Sequence, residues 1–300
     1  MKNKKTDFGR VSDFSDVKGS KLNREKKGLF EMIGATFIWG STPLMSIYSH
    51  LPSGVFVFFR VLFAFPFILY FAVKHTGIKE FLKLRPFWPL LVSGIALGVN
   101  WIFFFRAFEY ADVATVVSIY YAGPIISLLL AALFLKEKLN VYVIAAAVLA
   151  FVGVIISNGG ISLSKGAAIA LMAALSYGAL GFFSKIATMH HRPAAVTAWQ
   201  IIISVFITAP FLFTGGWYLS LQGVFVAFVT GVVHTALALF LWYDALNYIR
   251  VSTASVLQYL DIVFAMILAF LFLGEVPSCH QIVGAVFIVL GGILGTKPKT

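Results

Sequence analysis

The sequence predicts an all-α membrane protein of ten transmembrane helices arranged as two inverted five-helix repeats. Three observations predict it. Of 300 residues, 60% are hydrophobic and only 12% charged, and the mean hydropathy is +0.93; such a chain lies outside the range of soluble domains, so lipid is its expected solvent. Apolar runs of roughly 20 residues, each able to cross ~30 Å of hydrocarbon at ~1.5 Å per residue, recur along almost the whole chain. The chain also matches itself at a shift of about 138 residues.

Residues 1–27 are polar, mixed in charge and without apolar periodicity, and read as a disordered cytoplasmic tail. The first span, 28–49, could mimic a signal peptide, but it contains Trp39-Gly40-Ser41-Thr42-Pro43 and has a counterpart later, so it reads as a retained helix. The second, 53–73, holds Arg60 and Pro66; the third, 86–107, opens on Pro86, where a first turn tolerates a missing N–H. The fourth, 113–135, contains Pro124, and 141–157 closes the first repeat, 28–158. The second repeat, 159–300, comprises 166–187, then 194–214 with Pro193 at its start and Pro210 inside, then 222–247, 251–273 and 279–295. Pro43, Pro66, Pro124 and Pro210 are expected to kink or interrupt their spans, which lipid tolerates only where the freed backbone faces protein or a wet cavity.

At the common shift, Gly28 falls on Gly166 and Trp39-Gly40 on Tyr177-Gly178. Ala107, Tyr110, Val113, Thr115 and Tyr121 meet Ala245, Tyr248, Val251, Thr253 and Tyr259. Glu137 meets Glu275, and Gly153 meets Gly291. Leu, Ala and Val match easily by chance in apolar helices, so the shared Tyr, Thr, Glu and Gly positions carry the inference. With an odd number of spans per repeat, the copies enter the membrane from opposite sides.

Lysine and arginine set the orientation, because cationic loops resist translocation. The tail carries nine of them from Lys2 to Lys27, and Lys74, Lys79, Lys83 and Arg85 fill the second loop. Lys136, Lys138, Lys185, Arg192, Arg250, Lys297 and Lys299 fall on the same face, whereas the opposite face has only Arg106 and Lys165. Both termini are therefore expected in the cytoplasm, and the net charge of +11 is a topology signal rather than a mark of nucleic-acid binding. The repeat follows the same rule, since inner Lys136 and Lys138 become outer Gly274 and Val276, and outer Asp112 becomes inner Arg250. One pair runs the other way: outer Arg106 stands against inner Asp244.

A single cysteine, Cys279, precludes an intramolecular disulfide, and neither metal-ligand spacing nor a glycine-rich phosphate loop is present. No nucleophile–base constellation appears either, so neither enzyme activity nor a cofactor is expected. The candidate functional residues are polar groups inside spans. Asp261 is about ten residues into the ninth span, where a lone carboxylate costs about 2.5–3.5 kcal/mol on insertion scales and must face the interior, be protonated or have a partner. It is a candidate for binding a substrate amine or relaying a proton, against a structural interhelical hydrogen bond. Gln258 lies one turn before it with Tyr259 flanking, and the repeat places Tyr120 and Tyr121 in the matching position beside Gly123-Pro124, where freed carbonyls would face the cavity. Arg60 could snorkel outward or hold a substrate carboxylate bidentately. Trp39, Asn100, Trp101, Tyr177 and His234 are mid-span residues whose polar handles want partners, and His234 is a second candidate for proton coupling. Each of these five taken alone is more often core than ligand. Glu137 and Glu275 precede new helices and read as structural caps.

These elements resemble the EamA family of the drug/metabolite transporter superfamily. The resemblance rests on Arg106-Ala107-Phe108-Glu109-Tyr110, Tyr120-Tyr121-Ala122-Gly123-Pro124 and Phe134-Leu135-Lys136-Glu137-Lys138-Leu139, with Tyr243-Asp244-Ala245-Leu246 and Phe272-Leu273-Gly274-Glu275 in the second copy. Asp261 departs from the pattern, standing where the first copy has Gly123, with no proline after it. The resemblance implies a secondary transporter of the cell inner membrane that exports small polar metabolites, such as amino acids, by alternating access and without nucleotide hydrolysis. Its partners would be the bilayer and a small-molecule substrate. A passive channel or scramblase is the rival reading, and a membrane-embedded enzyme a more distant one.

Overall fold

The computed structural model describes residues 12–134, 141–157, 159–160, 164–245, 247–249 and 257–295. The loop carrying Lys136, Glu137 and Lys138, the segment 250–256, and the termini 1–11 and 296–300 lie outside the described residues. Among the described residues all regular structure is helical. Six segments are long and apolar enough to cross a membrane: Ser53–Thr76, Trp88–Ala107, Val113–Phe134, Lys165–Thr188, Pro193–Phe213 and Leu221–Trp242. Ile144–Ser157, Leu260–Leu273 and Cys279–Gly291 are shorter apolar helices.

In chain order the helices are α1 (Ser12–Gly40), α2 (Thr42–Ser49), α3 (Ser53–Thr76), the single turn α4 (Ile78–Phe81), α5 (Trp88–Ala107), α6 (Val113–Tyr120), α7 (Gly123–Phe134) and α8 (Val141–Ser157). Then follow α9 (Lys165–Thr188), α10 (Pro193–Thr208) continuing as a 3-10 turn (Ala209–Phe213), α11 (Leu221–Val229), a π-helical stretch (Thr230–Leu237), α12 (Ala238–Ala245), α13 (Leu260–Leu273) and α14 (Cys279–Gly295). The first helix thus starts at Ser12, well ahead of the Gly28 at which the first span was expected to begin.

Prolines mark three of the interruptions. Pro43 sits in the first turn of α2 after a break at Ser41, Pro124 in the first turn of α7 after a break at Tyr121–Ala122, and Pro210 in the 3-10 turn. Pro43 and Pro124 occupy early helical positions, where a missing N–H leaves no bond unmade, whereas Pro210 follows directly on α10 and cannot continue its α-helical bonding. Pro66 does not interrupt its span, since α3 continues through it from Ser53 to Thr76.

Close approaches between helices recur at the shift seen in the sequence. A Cβ on Gly28 would lie 2.7 Å from Tyr248 Cβ, and Gly166 abuts Tyr110 and Ala111 in the same way. Gly40 faces Phe264 and the Asp261 carbonyl, while Gly178 faces Ile126 and the Gly123 carbonyl. Gly153 meets Gly284 O and Ile288, and Gly291 meets Ala146 O and Ala150. Small residues at such crossings let backbones touch, which is how helices associate where lipid removes the hydrophobic drive between them.

Glu275, read from sequence as a cap for the helix that follows it, caps a different one. Its Oε2 accepts from the N–H of Val113, the first residue of α6, and Asp112 accepts from Thr115 N–H at the same helix start. Gln281 Nε2 then donates to Asp112 Oδ1 at 2.7 Å, tying α14 to that cluster. Burial holds the Glu275 carboxyl above the ordinary carboxylate range, opposed by the Val113 amide.

Candidate functional site

The helix breaks converge on a central cavity of ≈ 290 Å³. Ten of the eleven residues singled out from sequence border it, and they fall into three groups.

The first is an aromatic and amide wall. Tyr120, the last residue of α6, stacks on Tyr177 of α9 with ring centroids 4.8 Å apart and planes 15° apart. Its hydroxyl donates to Asn100 Oδ1 at 3.1 Å, and Asn100 Nδ2 donates to the Ala173 carbonyl at 2.9 Å. Asn100 is fully buried, so both ends of its amide are satisfied within protein. Gln258 reaches the Tyr177 hydroxyl at 3.4 Å from the other side.

The second group is acidic. A turn at Tyr259 interrupts the helix between Gln258 and Asp261, leaving Asp261 in the first turn of α13. The partial positive charge of a helix start favours a carboxylate there. Asp261 is buried, and its Oδ2 accepts a hydrogen bond from the Tyr121 hydroxyl at the α6–α7 break. The two breaks that hold this pair stand at matching positions of the sequence repeat. Tyr259 alone of the eleven does not border the cavity; it is buried behind, its ring 5.8 Å from that of Tyr121.

The third group is basic. Arg60 is only 4% exposed, which excludes the outward snorkelling weighed from sequence. Its Nε donates to Thr235 Oγ1 at 2.8 Å, and its guanidinium carbon lies 4.6 Å from the Trp101 ring centroid and 5.3 Å from that of Phe105. Among the described residues no carboxylate forms an ion pair with it. A guanidinium is weakly hydrated and stacks on aromatic faces, so it endures this desolvation better than an ammonium would.

Thr235 and His234 are presented by the π-helical stretch, along which the Thr235 side-chain hydroxyl also donates to the Thr230 carbonyl at 3.2 Å. Gly231 lets this stretch touch α3, since a Cβ there would lie 2.6 Å from the Arg60 carbonyl oxygen. Such π segments occur preferentially at functional sites. His234 Nε2 is 2.9 Å from Ser41 Oγ, and its carbonyl accepts from Trp39 Nε1 at 3.0 Å, so the α1–α2 break is fastened to this stretch twice. Nδ1 of His234 is buried without a hydrogen-bond partner among the described residues.

Sequence reasoning missed Thr235, Thr42, Phe104 and Trp242, which also border the cavity. Thr235 was findable as the polar neighbour of His234 in mid-span; Phe104 was not, because nothing in a run of three phenylalanines distinguishes the one that faces inward.

A model of the EamA-like transporter family matches the chain twice, over residues 26–159 and 164–296. The uncharacterized transporter YxxF of Bacillus subtilis is 31% identical over 278 residues, covering 89% of each chain. Protein RarD of Salmonella typhimurium is 26% identical over 278 residues, covering 88% of this chain and 92% of its own. A protein of known crystal structure shares the fold with a TM-score of 0.63, at 16% identity, over 90% of this chain and 96% of the other.

Proposed function

Because the chain belongs to the EamA-like transporter family, we propose that this membrane transporter is a secondary carrier that exports small polar metabolites, amino acids among them, by alternating access. In this reading ten spans form two inverted five-helix halves, 28–158 and 159–300, with both termini in the cytoplasm of a cell whose inner membrane holds the protein. The doubled family match and the recurrence of the glycine crossings at one shift support the two halves. The excess of lysine and arginine on one set of loops supports the orientation.

The observation that carries the functional reading is the pairing of a buried guanidinium and a buried carboxylate on one cavity, neither in an ion pair among the described residues. Two such charges are expensive in a membrane and persist where a ligand neutralises them. A solute with an anionic end for Arg60 and a cationic end for Asp261 would satisfy both, between the stacked tyrosines and Trp101. The site borders the starts of α2 and α13, broken helices of the sort that bind solutes in inverted-repeat carriers. Asp261 and His234 are the groups through which proton movement could be coupled.

Counterflow in proteoliposomes tests the reading. Labelled amino acids, screened in pools, should accumulate transiently against unlabelled internal solute, with saturation. Flux that rises linearly with concentration and shows no counterflow would replace the carrier with a channel.

A further inference from the structure

Lys27 and Lys165 occupy matching positions of the repeat, one near the start of each half, and each sits on a tyrosine of the other half. Lys27 Nζ lies 4.6 Å from the Tyr248 ring centroid, and Lys165 Nζ lies 3.9 Å from that of Tyr110. Tyr248 and Tyr110 are themselves matching residues, and so are Gly28 and Gly166, which press against them. Even the turns agree. Asn247, Tyr248 and Ile249 donate to the carbonyls of Asp244, Ala245 and Ala245; Glu109, Tyr110 and Ala111 donate to those of Arg106, Ala107 and Ala107. One joint, built twice, closes α1 on the end of α12 and α9 on the end of α5.

The copies differ in charge. In the first joint Lys27 Nζ also meets Asp244 Oδ2 at 3.0 Å, the Tyr248 hydroxyl at 3.0 Å and Glu31 Oε1 at 3.3 Å, and Asn247 Nδ2 donates to the far oxygen of Asp244 at 3.2 Å. In the second joint the positions of Asp244 and Glu31 are taken by Arg106 and Ile169, and the acid in its turn, Glu109, accepts from Ser53 Oγ at 2.7 Å; among the described residues Lys165 is in no ion pair, and Arg106 is exposed. The ion pair with Lys27 accounts for Asp244 on the inner face; nothing in the structure explains Arg106 on the outer one.

We propose that these joints are the two end latches of the alternating-access cycle, and that Asp244 and Glu31 make the Lys27 latch the stronger, biasing the unloaded protein toward an arrangement closed on the Lys27 face and opening on the other. The proposal rests on the carrier reading. Opening a face means parting the helix start of one half from a turn of the other at that face, and among the described residues only the Lys27 joint carries ion pairs to be broken. Cation–π contacts and exposed ion pairs each shift an equilibrium by a few-fold, and together the difference is on the order of fivefold.

The test uses the full chain with Cys279→Ser and a reporter cysteine, Val117→Cys, on the cavity wall. Right-side-out and inverted vesicles are treated with a small membrane-impermeant methanethiosulfonate, and the two labelling rates give a ratio. The parent should react faster from the Lys165 face. Asp244→Asn should raise the ratio toward the Lys27 face by about fivefold. Arg106→Asp, which gives Lys165 an acid of its own, should move it in the same direction by strengthening the opposite latch. A one-sided parent whose ratio ignores both substitutions, or moves the other way, overturns the latch and leaves the carrier standing. Equal rates from both faces in every variant likewise overturn the latch, whereas the carrier reading stands or falls on counterflow.

Discussion

The Tyr121 hydroxyl donates its hydrogen bond to the carboxylate of Asp261, joining two helix breaks that lie in different halves of the sequence. A residue at the α6–α7 break thereby holds a charge at the start of α13. The acidic side of the cavity is made by this pair and not by either span alone.

Asp261→Asn keeps the acceptor for Tyr121 but removes the charge. Counterflow of a zwitterionic solute is expected to fall at least about tenfold, since a lost charge-assisted hydrogen bond is worth ~1.5–3 kcal/mol. If Asp261 also couples transport to protons, the residual flux should no longer respond to a pH gradient; a variant still driven by the gradient excludes that role.

Arg60→Lys is expected to behave as a loss and not as a conservative change. Lysine keeps the charge but gives up the fork, the stacking on Trp101 and the bond to Thr235. Affinity measured by calorimetry in detergent should drop by about tenfold or more, and Arg60→Gln should drop it further.

Thr235→Val removes the acceptor that orients Arg60 Nε while leaving the guanidinium in place. The expected effect is a solute affinity weaker by on the order of fivefold, together with a stability loss of about 1–3 kcal/mol because the buried Nε loses its acceptor. A loss of stability with unchanged affinity would instead mark Thr235 as a packing residue.

Gly28→Val and Gly166→Val should each destabilise the fold by about 1–3 kcal/mol, because the added Cβ has no room against Tyr248 or Tyr110. Thermal unfolding in detergent should show similar shifts for the two, as expected of copies of one crossing. A large penalty for one and none for the other would break that equivalence.

Much of the site was legible because burying polar groups in a membrane is expensive. Arg60, Asn100 and Asp261 stand out in apolar spans for that reason, and all three border the cavity. Tyr259 misled because its neighbours line the cavity, whereas the turn at that residue aims its ring behind Tyr121. The cap role of Glu275 was assigned to the wrong helix, since sequence offers only the helix next in the chain while the nearest free N–H belongs to Val113.

By itself the sequence determined that this chain is a multi-pass membrane protein, that its halves match one another, and which of its polar groups are too costly to bury without partners. Those are consequences of transfer energies and of residue spacing, which are local or strictly periodic. Only the tertiary structure decided that Arg60 rests on Trp101 and Thr235, that Asp261 answers to Tyr121, and that Lys27 pairs with two acids while Lys165, among the described residues, pairs with none. Each depends on two segments far apart in the chain meeting at hydrogen-bond distance, a relation set by helix crossings and breaks that no single stretch of sequence contains.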